Sequence, residues 1–552
     1  MKSILSISAR FGFLKKEIEP YGQSIGKISL EVSERLPRRP GGKYIFVTAI
    51  TPTCRGEGKT VTAITLSMAL NREGESSVAT LRQPSTGLYF ARKGGGSGGG
   101  KASLVPHEGI DFHCTGDTHA VTLAHNLVAA HVDNLFFWGN PLGFDRARVF
   151  WDRAIDLCDR SLRSVLIGTD KEETKRRSGF IMTQASELMA ILSFSRNHEE
   201  LREKISKITI GVDKHGNPIR MADIKIESDL VKILRKALLP NLVLSSENTP
   251  VILHCGPFSN ISHGNCSVLA DETGMRIADY VITEGGGGTD TGLEKFLAIK
   301  APVLQRLPDT VVLVVTARAL KMHGLSTLDN GRVPEESEWA IRNDAALMSG
   351  MKNLEKHIRN VKIFGFPLVV AINRFTFDHD EEIRTIKKIA LDLGADFVAS
   401  HEGWQKGSKG AIQLAEAVTE AAQRPLNFRK LYDDTFSIRE KISKVADKIY
   451  GAEGITISSQ ASETLTGIEK REALSSKRQN YGLCIAKTHL SLSHDSRIKN
   501  VPEKYSLPIV DCIPFTGAGY LCALTKNINL MPGMPSESFE PNFNKRRTEE
   551  KG

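Results

Sequence analysis

The sequence predicts an α/β protein of P-loop type, a doubly wound and mostly parallel sheet with smaller additional domains. Three observations carry that reading. Short β-branched apolar runs recur along the chain, helical stretches separate them, and one run leads through a glycine-bearing turn straight into a helix. In order, the strand-like runs are Tyr44–Ile50, Val78–Leu81, Val251–Leu253, Tyr280–Thr283, Val311–Thr316, Leu368–Ile372 and Phe397–Ala399. Several are continuous rather than alternating, as expected of parallel strands covered on both faces. Val61–Leu70 and Asp229–Leu238 have helical spacing, and strand–helix alternation builds a doubly wound sheet. After Tyr450-Gly451 the chain shifts toward Ser and Lys and loses the buried-strand pattern, so residues 451–552 are expected to form a small C-terminal domain.

Composition narrows the class. The chain has 552 residues, 40% of them hydrophobic, with 73 Lys+Arg against 64 Asp+Glu for a net charge of +9. That balance excludes wholesale disorder. No apolar run approaches the ~20 residues that cross a membrane, and the N-terminal segment lacks an apolar stretch ending in a cleavage site. Eight cysteines with no CxxC pair point to a reducing compartment, hence the cytoplasm. The basic residues are scattered, with no aromatic-interleaved stripe, which argues against nucleic acid as a partner. The cluster Lys545-Arg546-Arg547 is followed by Glu549 and Glu550 and reads as a solvated end.

The segment Lys43–Thr60, KYIFVTAITPTCRGEGKT, carries the most chemistry. A strand runs into a turn with Gly56 and Gly58, and Lys59-Thr60 open a helix. Glycines let backbone N–H groups approach an anion, the helix start adds positive potential, and Lys59 adds a formal charge. Thr60 can place its hydroxyl on Mg²⁺. Thr53 stands where the Walker pattern has its first glycine. Thr53, Cys54, Arg55, Gly56, Glu57, Gly58, Lys59 and Thr60 are therefore the expected nucleotide-phosphate residues.

Arg82 falls at the end of the next strand, at the carboxyl edge where open α/β sheets bind ligands. The run Gly94–Gly100 can wrap a ligand or act as a linker; its formal G-x-S-x-G match around Ser97 is trivial in a glycine run. Asp111, His113, Asp117 and His119 gather acid/base or metal-ligating groups. His254, Cys255, His263 and Cys266 do the same, but neither set has a zinc-finger spacing.

Taken together, these segments resemble the formate–tetrahydrofolate ligase family across nearly the whole chain. The resemblance rests on EPYG at Glu19–Gly22, TAITPT…GEGKT at Thr48–Thr60, LRQPS at Leu81–Ser85, and TGD at Thr115–Asp117. It continues in GPF…HGN at Gly256–Asn265, ADYVITE at Ala278–Glu284, EKF at Glu294–Phe296 and ARALKMHG at Ala317–Gly324. NLEKHI at Asn353–Ile358, AINRF at Ala371–Phe375, GWQKG at Gly403–Gly407, IYGA at Ile449–Ala452 and AKT at Ala486–Thr488 complete it.

That resemblance implies a large nucleotide-binding α/β domain over residues 1–355, a second α/β domain over 356–450 carrying folate-stacking residues, and the small C-terminal domain. It implies ATP, formate and tetrahydrofolate, the last in polyglutamylated form, as partners. Mg²⁺ accompanies ATP, and K⁺ or NH₄⁺ is a further cofactor. The assembly it implies is a homo-oligomer, a tetramer. Lys59, Arg82 and Asp117 match catalytic positions: Arg82 the arginine that holds formyl phosphate, Asp117 a general-base or orienting aspartate. Phe375 and Trp404 match the aromatics that sandwich the pterin. Gln83 stands where the family has an acid associated with a monovalent cation. Lys101, His107, Cys114, Ile181 and Gly287 also depart from the pattern around the ligand site. Those departures leave two alternatives open, a relative that binds nucleotide or folate without ligating, and a P-loop ligase acting on another small acid.

Overall fold

A computed structural model describes residues 3–91, 96–170, 172, 174–474, 481–526 and 528–534. Gly94 and Gly95 of the glycine run and the basic cluster at residues 545–547 lie outside them.

The architecture is a mixed α/β fold around one twelve-stranded sheet. Its strands are β1 (Ile18–Tyr21), β2 (Ile25–Ile28), β3 (Lys43–Ala49), β4 (Ser77–Leu81), β5 (Gly98–Gly99) and β6 (Ala102–Val105). β7 (Asn241–Ser245), β8 (Pro250–Leu253), β9 (Tyr280–Glu284), β10 (Thr310–Val315), β11 (Leu368–Asn373) and β12 (Phe397–His401) complete it. The spatial order is β1-β2-β7-β8-β4-β9-β3-β10-β11-β12, with β5 and β6 hanging from β7. From β8 to β12 all neighbours pair parallel. These are the seven runs legible in the sequence, and their burial on both faces explains why: Thr310–Val315 is buried at every position.

The antiparallel flank (β1, β2, β6, β7) was not legible. Its strands are short, and Gly26, Lys27 and Asn241 interrupt the apolar pattern although all three are buried. A further correction concerns the C-terminal region, where a buried-strand pattern does exist. β13 (Gly454–Ile457), β14 (Gly482–Ala486), β15 (Ser506–Phe515) and β16 (Tyr520–Thr525) form a four-stranded sheet in the order β13-β15-β16-β14. β16 is buried at all six positions. β11 pairs with β10 and β12 with β11, so the large sheet continues across residue 355.

Helix α1 (Lys59–Arg72) follows β3, and Val61–Leu70 are all buried. A helix apolar on every side must be covered on every side: the sheet takes one face, and the segment Gly403–Ala411 packs on another, with Gly403 against Thr65. Among the described residues no helix is long and apolar enough to cross a membrane.

Candidate functional site

The carboxyl ends of β4, β9, β3, β10, β11 and β12 form one edge, and the sequence-singled residues collect along it. At β3, the turn after Ile50 is anchored from beneath rather than left as a free loop. Helix α4 (Ala317–Leu328) and helix α5 (Asp344–Ile363) supply the anchors. His323 Nε2 lies 2.8 Å from Thr51 O, His357 Nε2 lies 2.9 Å from Thr51 Oγ1, and Asn353 Oδ1 accepts Thr51 N–H at 3.3 Å. Burial pushes His323 down to about 3 and His357 to about 4, so both are neutral braces at ordinary pH.

Within the turn, Glu57 points inward. Its Oε1 accepts Thr53 N–H at 2.7 Å, and its Oε2 accepts the Thr316 hydroxyl. The side chain is thus a strut holding the turn's shape, and only the backbone of Glu57 remains for a ligand. Gly58 has φ +79°, and a Cβ there would collide with Asn373 Nδ2, which donates to Glu57 O at 3.0 Å. Only glycine fits that position. Cys54 and Arg55 lie at the exposed rim, where Arg55 Nε meets Glu336 at 2.7 Å.

Lys59 and Thr60 open α1 toward β9. Thr60 Oγ1 donates to Glu284 Oε2 at 2.7 Å, and Glu284 Oε1 lies 3.9 Å from Arg82 Nη2. Protein crowded around the Lys59 ammonium lowers its pKa, opposed chiefly by the Glu284 charge, with Arg82 adding to the lowering. The ammonium has no hydrogen-bond or ion-pair partner among the described residues. β9 lies between β3 and β4, and Glu284 at its end stands between Thr60 and Arg82. The Arg82 guanidinium touches the protein lightly: Nη1 donates to Pro257 O at 3.5 Å, and Gly286 leaves room beneath it. Glu284 is the member of this group that sequence reasoning missed. It stood inside a quoted motif, but nothing in a strand-terminal Glu reveals that it bridges a threonine at a helix start and an arginine past the end of another strand.

Asp117 is placed differently from Lys59 and Arg82. It opens helix α3 (Asp117–Phe137), with Helix α2 (His107–Phe112) just before it. Its Oδ1 accepts from the buried Lys27 ammonium at 2.6 Å and its Oδ2 from Asn241 Nδ2 at 2.8 Å. Both oxygens are engaged, which suits an orienting group better than a proton acceptor. Gln83 lines a cleft of about 270 Å³ with Asp111, His113, His119 and Asp156. Asp156 is spent on Ser85 Oγ at 2.6 Å and Thr86 N at 3.1 Å.

At the other end of the edge, Phe375 follows β11 and Trp404 follows β12, two neighbouring strands in register at Asn373 and His401. Phe375 stacks on Phe377 with ring centroids 5.4 Å apart and planes at 8°, and the Arg318 guanidinium lies 4.4 Å from its centroid. Trp404 is 46% exposed. It packs on the glycine run: a Cβ on Gly99 or Gly100 would overlap the indole, and Lys101 N–H donates to Trp404 O at 2.9 Å. The described part of the run is therefore a fitted strand rather than a linker.

The His/Cys set around residue 254 is packing. His254 has Ser267 Oγ at 2.7 Å on one nitrogen and Ala237 O at 2.9 Å on the other, so neither is free for a metal. Cys255 and Cys266 are buried thiols pushed up to about 12 by burial.

A family model described as formate–tetrahydrofolate ligase matches residues 1–550. Among curated relatives, the formate–tetrahydrofolate ligase of Roseiflexus castenholzii is 42% identical over 542 residues, 97% of this chain and 94% of that one. The ligase of Saccharopolyspora erythraea is 41% identical over the same shares of both chains. That of Desulforamulus reducens is 42% identical over 540 residues, again 97% and 94%.

Proposed function

The chain belongs to the formate–tetrahydrofolate ligase family, and from that premise we propose how its own residues carry the ATP-dependent ligation of formate to tetrahydrofolate. A formate oxygen attacks the γ-phosphorus of ATP, ADP leaves, and formyl phosphate remains. N10 of tetrahydrofolate then attacks the formyl carbon, phosphate leaves, and N10 gives up its proton, so the products are 10-formyltetrahydrofolate, ADP and phosphate.

Phosphoryl transfer asks for position and charge neutralisation more than covalent help. The P-loop-type turn supplies both. Lys59 carries the reading: an ammonium without a partner among the described residues, its pKa lowered by burial, gains from an arriving phosphate what it lacks in the free protein. Arg82, lightly held, is free to fork onto the formyl phosphate. Thr60 and Glu284 offer two oxygens 2.7 Å apart and fit a Mg²⁺ bound with the nucleotide, which keeps most of its ligands as water and phosphate. When bound, it supplies charge neutralisation on the phosphates. Asp117 orients the start of α3.

At the acceptor end, Trp404 and Phe375 bind the flat pterin by their faces. Phe377, exposed on one side of Phe375, is the group it exchanges with. Gln83 offers a K⁺ or NH₄⁺ ion only a neutral carboxamide: Asp156 is spent on hydrogen bonds, and the Asp111 carboxylate is turned to Ser97 and His107. The residues present do not make a strong monovalent site, and no step runs through one. We infer a cytoplasmic homo-oligomer, a tetramer by family resemblance; the exposed Phe137, Trp138 and Phe150 support a covered face. The test is direct: purified protein with formate, ATP, Mg²⁺ and tetrahydrofolate accumulates 10-formyltetrahydrofolate. Formate-independent ATP hydrolysis with no formylated product contradicts the proposal.

A further inference from the structure

Ser97, His107 and Asp111 form a triangle at the start of the glycine strand. Ser97 Oγ donates to Asp111 Oδ1 at 2.7 Å and lies 3.0 Å from His107 Nε2; His107 Nδ1 stands 3.0 Å from Asp111 Oδ2. The composition is that of a hydrolytic triad, but the geometry is not. In a working triad the serine proton goes to the imidazole and the carboxylate touches the imidazole alone. Here the hydroxyl donates to the carboxylate, and Ser97 is fully buried at 0% exposure.

What the triangle does hold is the start of β5. Leu104 N–H donates to Ser97 O at 2.8 Å, and Gly98 and Gly99 pair with Ser103 and Ala102. Two residues beyond Ser97, Gly99 lies flat against the Trp404 indole, and at Lys101 the backbone N–H bonds Trp404 O. The run Ser97–Lys101 is thus a short strut. One end is pinned to α2 by the triangle, and the other carries Trp404. Glycines alone hold no preferred conformation, so this strand takes its position from its pairing with β6 and from what grips its ends.

We propose that Ser97, held by His107 and Asp111, is a positioning residue for the folate half of the reaction, fixing the glycine strand that in turn sets the Trp404 ring. The inference rests on reading Trp404 as a wall of the pterin site.

A double-mutant cycle on the full-length protein tests it, with KM for tetrahydrofolate, KM for ATP and kcat read for each variant. Ser97→Ala is expected to raise KM for tetrahydrofolate by about 5–20-fold while KM for ATP and kcat at saturating folate stay within about 2-fold, the pattern of lost uniform binding to one substrate. In a Trp404→Ala background, Ser97→Ala is expected to add nearly nothing, because residues acting through one another are not additive. His107→Ala, at a partly exposed position, repeats the measurement if Ser97→Ala does not fold. Trp404→Ala weakening folate while neither Ser97→Ala nor His107→Ala does overturns the inference and leaves the folate site standing. Full additivity of the two losses, or equal loss for ATP and folate, overturns it too. Trp404→Ala without effect on folate removes the pterin wall itself, and the inference with it.

Discussion

The phosphate end and the acceptor end of the same sheet edge are built on opposite principles. At β3 the phosphate turn is contiguous: a strand, a turn and a helix consecutive in sequence present Lys59 and Thr60, and neutral histidines brace the turn from behind. At β11 and β12 the site is assembled. Trp404 is held by a glycine strand some three hundred residues earlier, and Phe375 by Arg318 and Phe377. A contiguous site tolerates change elsewhere in the chain; an assembled one inherits every change in the segments that grip it. The departures at Lys101 and His107 fall on the assembled end.

The sharpest way to break that contrast is at Lys59. Lys59→Ala is expected to lower formate-dependent ADP formation by about 10²–10³-fold, the scale of losing one preorganised charge at a transition state. A steady-state assay with a well-folded variant at undiminished rate removes Lys59 from the chemistry. Arg82→Ala comes next: nucleotide titration should read near-native ATP affinity while formyl-phosphate turnover is lost. If instead ATP binds poorly and the maximal rate survives, Arg82 belongs to the nucleotide.

At the acceptor end the expected losses are smaller. Trp404→Ala and Phe375→Ala should each weaken tetrahydrofolate by on the order of 1 kcal/mol or more, judged from aromatic pair energies, and leave ATP untouched. Unchanged folate titrations in both variants contradict the sandwich.

Proton linkage distinguishes the ends as well. Burial lowers the Lys59 pKa, so in the free protein its charge, and with it ATP affinity, is lost as pH rises at a value below that of an ordinary lysine. Lys59→Arg, charged throughout, should flatten that alkaline fall. Folate affinity should follow no such curve; an identical alkaline fall in both ligands merges the two ends.

The smallest effect concerns Gln83. The native protein should respond weakly to K⁺ at constant ionic strength, and Gln83→Glu should strengthen the response, since a formal charge attracts a cation more than a carboxamide does. Strong K⁺ activation unaltered by the substitution places the cation elsewhere.

The same contrast governs what the sequence reveals. All seven parallel strands announce themselves, because burial on both faces demands unbroken apolar runs, and α1 follows from GKT and the apolar run behind it. The antiparallel flank hides behind Gly26 and Lys27, which interrupt its apolar pattern. In the site, Lys59 opens a helix after a glycine turn and Arg82 follows a strand end, both places where chemistry is expected. The inward turn of Glu57, the Thr60–Glu284 bridge and the seating of Trp404 on Gly99 arise from residues far apart in the chain, and no local pattern encodes them.

The central claim is that one edge carries two separable sites. Parallel equilibrium titrations of ATP and of tetrahydrofolate into Lys59→Ala and Trp404→Ala test it most directly. A crossed result is predicted: Lys59→Ala loses ATP affinity and keeps folate, while Trp404→Ala loses folate and keeps ATP. Either variant losing both ligands to a similar degree contradicts it.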